Sequence, residues 1–339
     1  MLVSILIPAF NSQDWIAATI RSAISQTWEP KEIIVVDDGS TDNTLAIARR
    51  FEPAGVRVFP QTNQGAAAAR NTAYSHCRGE YIQWLDADDI LAADKIATQM
   101  QAIRPSTGKR VLLSSAWGRF FHRHQRAKFI PTALWRDLSP TEWLLRKMGD
   151  NLFMQTASWL VSRELTEAAG PWDKALLADD DGEYFCRVLL QSEWVQFVPE
   201  AKVYYRARGA GSLSYIGLSS AKVEPQWRSM QMHVAYLRSM EESERIRAAC
   251  VKYLQTSLIY FYPERPDIVE QAQRVAKELG AKLDVPRLPW KYSWIVALLG
   301  YRMAKRIWLR LRQVKRSLMI YFDKALLHIE NLIPVRTAK

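Results

Sequence analysis

The chain of 339 residues is 48% hydrophobic and 24% charged, with a formal net charge of +11. This length predicts about two domains and permits a large buried core, and the composition excludes disordered, collagen-like and disulfide-stabilised classes of protein. The positive charge is concentrated at the C-terminal end, because residues 282–339 hold 13 Lys and Arg against three acidic residues.

The first 115 residues alternate short apolar runs with helical patterns, which is typical of a parallel α/β sheet. We predict, in chain order, strand 3–8, helix 15–26, strand 32–37, helix 41–51, strand 56–59, helix 66–77 and strand 81–85. Ser40 or Thr41 is the predicted N-cap of the second helix. Open sheets of this kind bind ligands where their strands end. The residues that directly follow each strand are therefore the first candidates for a site.

The rest of the chain is less regular and then helical. Residues 110–214 continue the first domain, because no linker-like stretch interrupts them, and helical patterns follow over 221–260 and 267–280. Pro286 marks the entry to the basic tail. We therefore predict three units, an α/β domain over 1–220, a helical extension over 221–285 and a basic amphipathic tail over 286–339.

Acidic residues follow two of the predicted strands. Asp37 and Asp38 end the second strand, and Asp86, Asp88 and Asp89 follow the fourth. Two carboxylate clusters at one sheet edge repel each other unless a cation or a hydrogen-bonding ligand is present. Turn and cap formation is an equally good explanation for the first cluster, but not for the second, because a cap needs only one carboxylate. Carboxylates beside a phosphate are the usual ligands of Mg²⁺ or Mn²⁺.

Seven segments occur in an order that is specific as a set. They are 3–11, 36–42, 63–65 with 69–71, 86–89, 170–173, 180–183 with Arg187, and 205–206. In these segments the sequence resembles the family 2 glycosyltransferases, which have the GT-A nucleotide-sugar-binding fold. The resemblance implies a mixed, mainly parallel sheet flanked by helices over residues 1–220, with a helical C-terminal extension.

The resemblance also implies roles for residues at the strand ends. Asp37 or Asp38 would accept hydrogen bonds from the nucleotide base, and Pro8 and Asn11 would line the same pocket. Arg70 would lie near the nucleotide or its phosphates, where a permanent cation offsets negative charge.

Asp88 is the ligand that the resemblance implies for a divalent metal ion, Mn²⁺ or Mg²⁺, and Asp86 and Asp89 would bind the ribose or a metal-bound water. The metal would stabilise the departing diphosphate. The chain departs from the family in one respect here. Many members have Arg-x-His where this chain has Arg206-Ala207-Arg208, so a phosphate contact by that His passes to Arg208 or is absent.

The general base has to be chosen among three consecutive carboxylates, Asp179, Asp180 and Asp181. The family pattern places an Arg six residues after the base, and counting back from Arg187 gives Asp181. The resemblance therefore implies that Asp181 deprotonates an acceptor hydroxyl, which attacks the anomeric carbon from the face opposite the diphosphate and inverts its configuration. Without the resemblance, the same acidic run is also typical of a solvated helix start.

An apolar stripe runs along the basic tail. Its residues recur at spacings of three and four, which predicts one amphipathic helix: Met303, Ile307, Leu311, Val314, Leu318, Phe322, Leu326 and Ile329. Lys and Arg occupy the other faces, as in helices that lie on anionic membranes. Packing of the stripe on the α/β domain is an alternative. Binding of nucleic acid is not favoured, because no recognition motif accompanies the charges.

We therefore predict an enzyme that transfers one sugar, with inversion, from a nucleotide-diphosphate sugar, with UDP as the expected nucleotide, to a lipid-linked or glycan acceptor. The missing Gln-x-x-Arg-Trp motif of processive synthases favours transfer of a single sugar. Three cysteines without metal-binding spacing favour a reducing cytosolic setting, and the tail would place the enzyme peripherally on the cytosolic membrane face. The alternative is a degenerate GT-A domain that recruits partners to membranes.

Overall fold

The computed structural model describes residues 1–103, 110–208 and 220–332. The strands are β1 Val3–Ala9, β2 Lys31–Asp38, β3 Val56–Gln61, β4 Tyr81–Trp84, β5 Ile90–Leu91, β6 Val111–Phe120, β7 Lys128–Phe129, β8 Val161–Ser162 and β9 Trp194–Arg206. The α-helices are α1 Ile16–Ile24, α2 Thr44–Arg49, α3 Ala66–Ser75, α4 Lys95–Ala102, α5 Pro140–Gly149, α6 Arg163–Ala169, α7 Asp180–Gln191, α8 Ser220–Met240, α9 Glu244–Ser257, α10 Pro266–Glu278 and α11 Ser293–Leu332.

The described strands form two sheets. The larger has the order β3-β2-β1-β4-β8, in which β1, β2, β3 and β4 are parallel and β8 adds an antiparallel edge. The smaller has the order β5-β9-β6-β7 and is built around the parallel pair of β6 and β9. The predicted mixed, mainly parallel sheet is confirmed. This order places the carboxyl ends of β1, β2 and β4 side by side.

The central strands are largely apolar because both faces of the sheet are covered, with Ser4 of β1 and Gln83 of β4 as buried polar residues. Ile5 and its partner Ile33 point into one buried layer with Ile20 of α1. Their neighbours Leu6 and Ile34 point into the opposite layer, which includes alanines of α3. Successive side chains along each strand therefore pack into two cores, one on each face of the sheet. This alternation also fixes the register that brings the strand ends together.

The second helix begins later than the sequence predicts. It starts at Thr44, because Asp42 Oδ1 accepts a hydrogen bond from the Thr44 backbone N–H at 2.9 Å and holds the preceding residues in a turn. The predicted N-cap at Ser40 or Thr41 is wrong. Both residues contact Asn11 instead, since Ser40 Oγ accepts from the Asn11 N–H at 3.0 Å and the Thr41 N–H donates to Asn11 Oδ1 at 2.9 Å.

Helices α8 to α10 share an apolar core with the α/β part. Trp227 of α8, Leu254 of α9 and the following Phe261 belong to the same buried cluster as Trp172 and Tyr184. Helix α8 packs on α7, and α9 packs on α5. The helical extension therefore supports the elements that precede it, while the division into three units stays a prediction.

The last helix, α11, is interrupted at Gly300, where φ is 75°. Within the described ranges, ion pairs join it to two other segments of the chain. Lys305 is buried and its Nζ lies 2.6 Å from Glu264 Oε2, and Arg123 pairs with Asp323 Oδ1 at 2.8 Å. Among the helices of the described ranges, none has a long enough apolar run to cross a bilayer.

The apolar stripe of the tail is largely uncovered. Six of its members are exposed, with accessible fractions between 46% and 66%: Met303, Leu311, Val314, Leu318, Phe322 and Ile329. Packing of the whole stripe on the α/β part, the alternative considered from the sequence, is therefore wrong for these side chains.

Candidate functional site

The two carboxylates that end β2 have different surroundings. Asp38 holds the loop between β3 and α3, because its oxygens accept hydrogen bonds from Gln61 Nε2 at 2.7 Å, the Gln64 N–H at 2.9 Å and the Gly65 N–H at 2.8 Å. Asp37 Oδ2 accepts from the Ser40 N–H at 3.1 Å, whereas its buried Oδ1 has no hydrogen-bond partner within the described part of the chain. Asp37 therefore offers a free acceptor, and Asp38 does not.

The turn after β2 lies against the end of β1. Gly39 has a φ of +72°, and a Cβ there would lie 2.8 Å from the Asn63 backbone nitrogen, so only glycine fits. Asn11 also has a positive φ, of 44°, and its contacts with Ser40 and Thr41 join the β1 and β2 ends. Pro8 pairs with the residue before Asp37 in the sheet. The four residues predicted for the base pocket thus lie at neighbouring strand ends.

Arg70 joins three segments that are distant in sequence. It extends from α3, and its guanidinium binds Asp180 Oδ2 through Nη1 at 2.6 Å and Asp86 Oδ1 through Nη2 at 2.8 Å. The Trp172 ring lies below it, with its centroid 4.3 Å from Arg70 Cζ. Both carboxylates raise the pKa of the buried Arg70 above its usual value, against the effect of burial itself. Arg70 is therefore a fixed positive charge between the β4 end and the start of α7.

Asp88 and Asp89 are buried behind the turn that ends β4. The two oxygens of Asp89 accept from the Arg206 N–H at 2.7 Å and from Gln155 Nε2. Asp88 Oδ2 lies 2.5 Å from Arg208 Nε, in an ion pair. Burial, more than any neighbour, raises the pKa of Asp88 to about 6 and that of Asp89 well above its usual range.

Asp181 lies in the first turn of α7, beside the carboxylate that binds Arg70. Its Oδ2 accepts from Thr156 Oγ1 at 3.2 Å. Burial, followed by the charges of Asp180 and Asp179, raises the pKa of Asp181 to about 7, and Arg70 offsets part of this shift. A carboxylate with such a pKa is suited to accept a proton near neutral pH.

The sequence did not reveal how the turn before α7 is held. Asp179 has a left-handed backbone with a φ of 57°, and its Oδ2 accepts from Ser229 Oγ at 2.8 Å. Ser229 contacts the buried His233, whose other ring nitrogen lies 2.9 Å from Tyr253 OH. Gly182 is needed next to this turn, because a Cβ there would lie 2.2 Å from Asp179 Oδ1. The helical extension thus positions the acidic run, and no local pattern signals it.

Comparison with known proteins identifies the domain that carries the strand-end part of this arrangement. The family model described as "Glycosyl transferase family 2" matches residues 4–168. The N-terminal half of this chain belongs to glycosyltransferase family 2. The family expected from the sequence motifs is thereby confirmed, and the match includes the ends of β1, β2 and β4, with Arg70 of α3.

The curated relatives are similar over this family 2 glycosyltransferase domain. One is the Escherichia coli protein named UDP-Glc:alpha-D-GlcNAc-diphosphoundecaprenol beta-1,3-glucosyltransferase WfaP, which is 43% identical over 100 residues, 29% of this chain and 40% of the relative. Another is the putative teichuronic acid biosynthesis glycosyltransferase TuaG of Bacillus subtilis, 39% identical over 30% of this chain and 41% of the relative. The chain thus matches about two fifths of the length of these relatives.

Solved structures support the same fold over more of the chain. S. aureus TarS in complex with UDP-GlcNAc has a TM-score of 0.65 at 16% identity, covering 82% of this chain and 83% of that one. The mannosyltransferase PcManGT of Pyrobaculum calidifontis, in complex with GDP-Man and Mn²⁺, has a TM-score of 0.53 at 19% identity, covering 95% and 87%. The GT-A type of fold is therefore confirmed for this chain.

Proposed function

We propose that this chain transfers a single sugar, with inversion, from a UDP-sugar to a lipid-linked or glycan acceptor. The observation that carries the proposal is the cluster of Arg70, Asp86 and Asp180, with Asp181 next to it in the first turn of α7. Asp181, the buried carboxylate that we propose as proton acceptor, thereby lies near the strand ends that we propose to bind the nucleotide. Family membership, the relatives' names and the TarS complex with UDP-GlcNAc agree with such a donor.

The free acceptor of Asp37 fits uracil, and the name of the E. coli relative and the TarS complex favour UDP over GDP, whose base also carries a ring N–H. Uracil carries an imide N–H that donates a hydrogen bond, and a buried acceptor without a partner costs free energy until a donor fills it. Asp37 Oδ1 is such an acceptor within the described residues. In this proposal Asp37 binds the base, Asp38 shapes the adjoining loop, and Pro8 and Asn11 complete the pocket wall.

The reaction needs one proton acceptor and a binding site for the diphosphate. Asp181 accepts the proton of the acceptor hydroxyl, and the oxygen of that hydroxyl forms a bond to the anomeric carbon. The bond between that carbon and the diphosphate oxygen breaks on the opposite face, and the electron pair leaves with UDP. Thr156 and the Arg70 cluster hold Asp181 and its neighbour in place during this step.

A divalent metal at Asp88 is the cofactor implied by the family resemblance, and the PcManGT structure contains Mn²⁺. The donor set of this chain does not fit such an ion. Asp88 is paired with Arg208, both Asp89 oxygens accept hydrogen bonds, and Asp86 is bound to Arg70. Within the described ranges there is no group of three or more His, Cys, Asp or Glu side chains that could hold a metal. We therefore derive no step through a metal.

For the acceptor and location, the proposal rests on a relative's name and on the tail. The E. coli relative is named for a diphosphoundecaprenol acceptor, which is a membrane lipid. The exposed stripe of α11, flanked by Lys and Arg, has the chemistry of a helix on an anionic surface. We propose that the chain acts peripherally at the cytosolic face, where a soluble donor meets a lipid-linked acceptor.

Calorimetric titration with UDP, GDP and CDP tests the donor proposal. UDP should bind most tightly, and Asp37→Ala should weaken UDP binding by about ten- to a hundredfold, the usual effect of losing a hydrogen bond to a charged group. An exposed matched control, Asp94→Ala near the start of α4, should bind UDP like the wild type. Equal affinity for the three nucleotides, or none for any, would contradict the proposal.

A further inference from the structure

The side chain of Arg208 lies where the sequence motif suggests a metal. It lies two residues after the end of β9, and its Nε is 2.5 Å from Asp88 Oδ2. Asp88 is only 8% exposed, whereas the Arg208 side chain keeps 31% of its surface accessible. The pair thus has a buried carboxylate at its base and a guanidinium that a ligand can reach.

The backbone on both sides fixes this pair in place. Arg206 Nε donates to the Asp88 carbonyl at 2.8 Å, and the Arg206 N–H donates to Asp89 Oδ1 at 2.7 Å. The Arg206 guanidinium is itself enclosed by two rings, with centroids 4.2 Å (Trp15) and 4.4 Å (Phe120) from its Cζ. Arg206 therefore fastens the end of β9 to the end of β4, and Arg208, two residues later, is held against Asp88.

This arrangement disfavours a divalent cation at Asp88. The ion would face the permanent charge of Arg208 at close range, and it would have to displace the guanidinium to reach the carboxylate. The neighbouring carboxylates are already engaged, because Asp86 Oδ1 is bound to Arg70 and each Asp89 oxygen accepts a hydrogen bond. Mg²⁺ can be held by one or two carboxylates together with water and phosphate oxygens, so the pairing of Asp88 with Arg208 is the observation that decides against the ion.

We propose that Arg208 itself binds the diphosphate of the donor and supplies the positive charge that a divalent metal supplies in related enzymes, so that nucleotide binding is independent of metal. This inference rests on the proposed function, since it concerns the same donor. Guanidinium N–H groups bind phosphate oxygens in pairs and keep their charge at any physiological pH. Asp88 then acts as a positioning residue, which aims Arg208 at the diphosphate instead of holding a metal.

Calorimetric titration with UDP, in EDTA and in Mn²⁺, tests the inference. Wild-type protein should bind UDP with the same affinity, within about threefold, in both conditions. Arg208→Ala should lose about ten- to a hundredfold in EDTA. The control Arg49→Ala, an exposed cation at the far end of α2, should bind like the wild type. Thermal unfolding of each variant shows that it is folded.

Two further variants separate the roles of Asp88. If it positions Arg208, Asp88→Asn should retain UDP binding in EDTA within about tenfold, because Arg208 remains. If it binds a metal, the same change should abolish a Mn²⁺-dependent gain. Arg208→His, which restores the Arg-x-His pattern with a metal-binding side chain, should acquire a dependence on Mn²⁺ that the wild type lacks, visible as uptake of free Mn²⁺ by electron paramagnetic resonance.

The outcomes separate this inference from the donor proposal on which it rests. Wild-type UDP affinity that rises more than tenfold with Mn²⁺, or unchanged affinity in Arg208→Ala, would overturn the inference and leave the donor proposal standing. No UDP binding by the wild type in either condition would overturn both.

Discussion

Replacing Asp181 by Asn removes the proposed proton acceptor with almost no change in shape. UDP binding should be nearly unchanged, because Asp181 does not belong to the strand-end residues proposed to hold the nucleotide. Turnover should fall by about 10²-fold or more, the usual contribution of a positioned general base. Thr156 loses only the charged partner of one hydrogen bond at 3.2 Å, so the unfolding temperature should change little.

The pH dependence of wild-type kcat/KM gives a second, independent test of the role of Asp181. Burial and the charges of Asp180 and Asp179 raise the pKa of Asp181 to about 7, with Arg70 and Asp86 as the other charged groups that act on it. A base with that pKa is about one-tenth ionised at pH 6 and about one-hundredth at pH 5, so kcat/KM should fall about tenfold per unit below neutrality. Asp180→Asn removes a neighbouring negative charge and should move this acid limb to lower pH.

The assay is release of UDP from a UDP-sugar in the presence of acceptor, measured from pH 5 to pH 9. Glu167→Gln, whose side chain is 60% exposed on α6, is the matched control and should keep the wild-type profile. A flat profile below pH 7, or normal turnover by Asp181→Asn, would refute the assignment. Loss of turnover in Asp180→Asn but not in Asp181→Asn would identify Asp180 as the general base.

Three further predictions concern other parts of the molecule. Lys95 Nζ is buried against Gln83 Oε1 and the Trp159 carbonyl, and burial lowers its pKa well below the usual value. The unfolded chain therefore binds a proton that the folded chain does not. Between pH 7 and pH 10 the free energy of unfolding of the wild type, measured by denaturant titration, should rise relative to that of Lys95→Met by up to about 1.4 kcal/mol per pH unit. Parallel curves for the two proteins would show a charged lysine. Replacing Leu318 and Phe322, 64% and 66% exposed, by Glu should abolish sedimentation with anionic vesicles without lowering the unfolding temperature. Vesicle binding by the wild type should weaken as salt rises. Undiminished vesicle binding by this variant would contradict the membrane proposal. Gly182→Ala should lower kcat by about tenfold with little change in UDP affinity, because its Cβ would displace the Asp179 side chain next to Asp181. A parallel loss of UDP affinity would indicate damage to the whole site.

The strand ends could be predicted because their signals are local. Alternating apolar runs, followed at once by Asp37 and Asp38 or by Asp86, mark a strand and the point where it stops. The sheet order then follows from the rules of parallel α/β folds. The start of α2 could not be placed, since it depends on which side chain takes a particular hydrogen bond, and Asp42 does so instead of Ser40.

The division of labour within the site could not be predicted, because it depends on contacts between distant segments. Arg70 meets Asp180 across 110 residues, and no local pattern shows that this arginine is already paired with carboxylates. Asp37 and Asp38 look equivalent in sequence, and only the loop folded over Asp38 separates them. The support of Asp179 by Ser229 belongs to the same class, since α8 carries no motif that links it to the site.

The central claim is best tested by the anomeric configuration of the product. The enzyme is incubated with a UDP-sugar and a lipid-diphosphate acceptor, and the new glycosidic linkage is examined by nuclear magnetic resonance. The account predicts a single transferred sugar with the configuration opposite to that of the donor, and no such product from Asp181→Asn. A product that retains the donor's configuration, or one that Asp181→Asn forms at the wild-type rate, would contradict it.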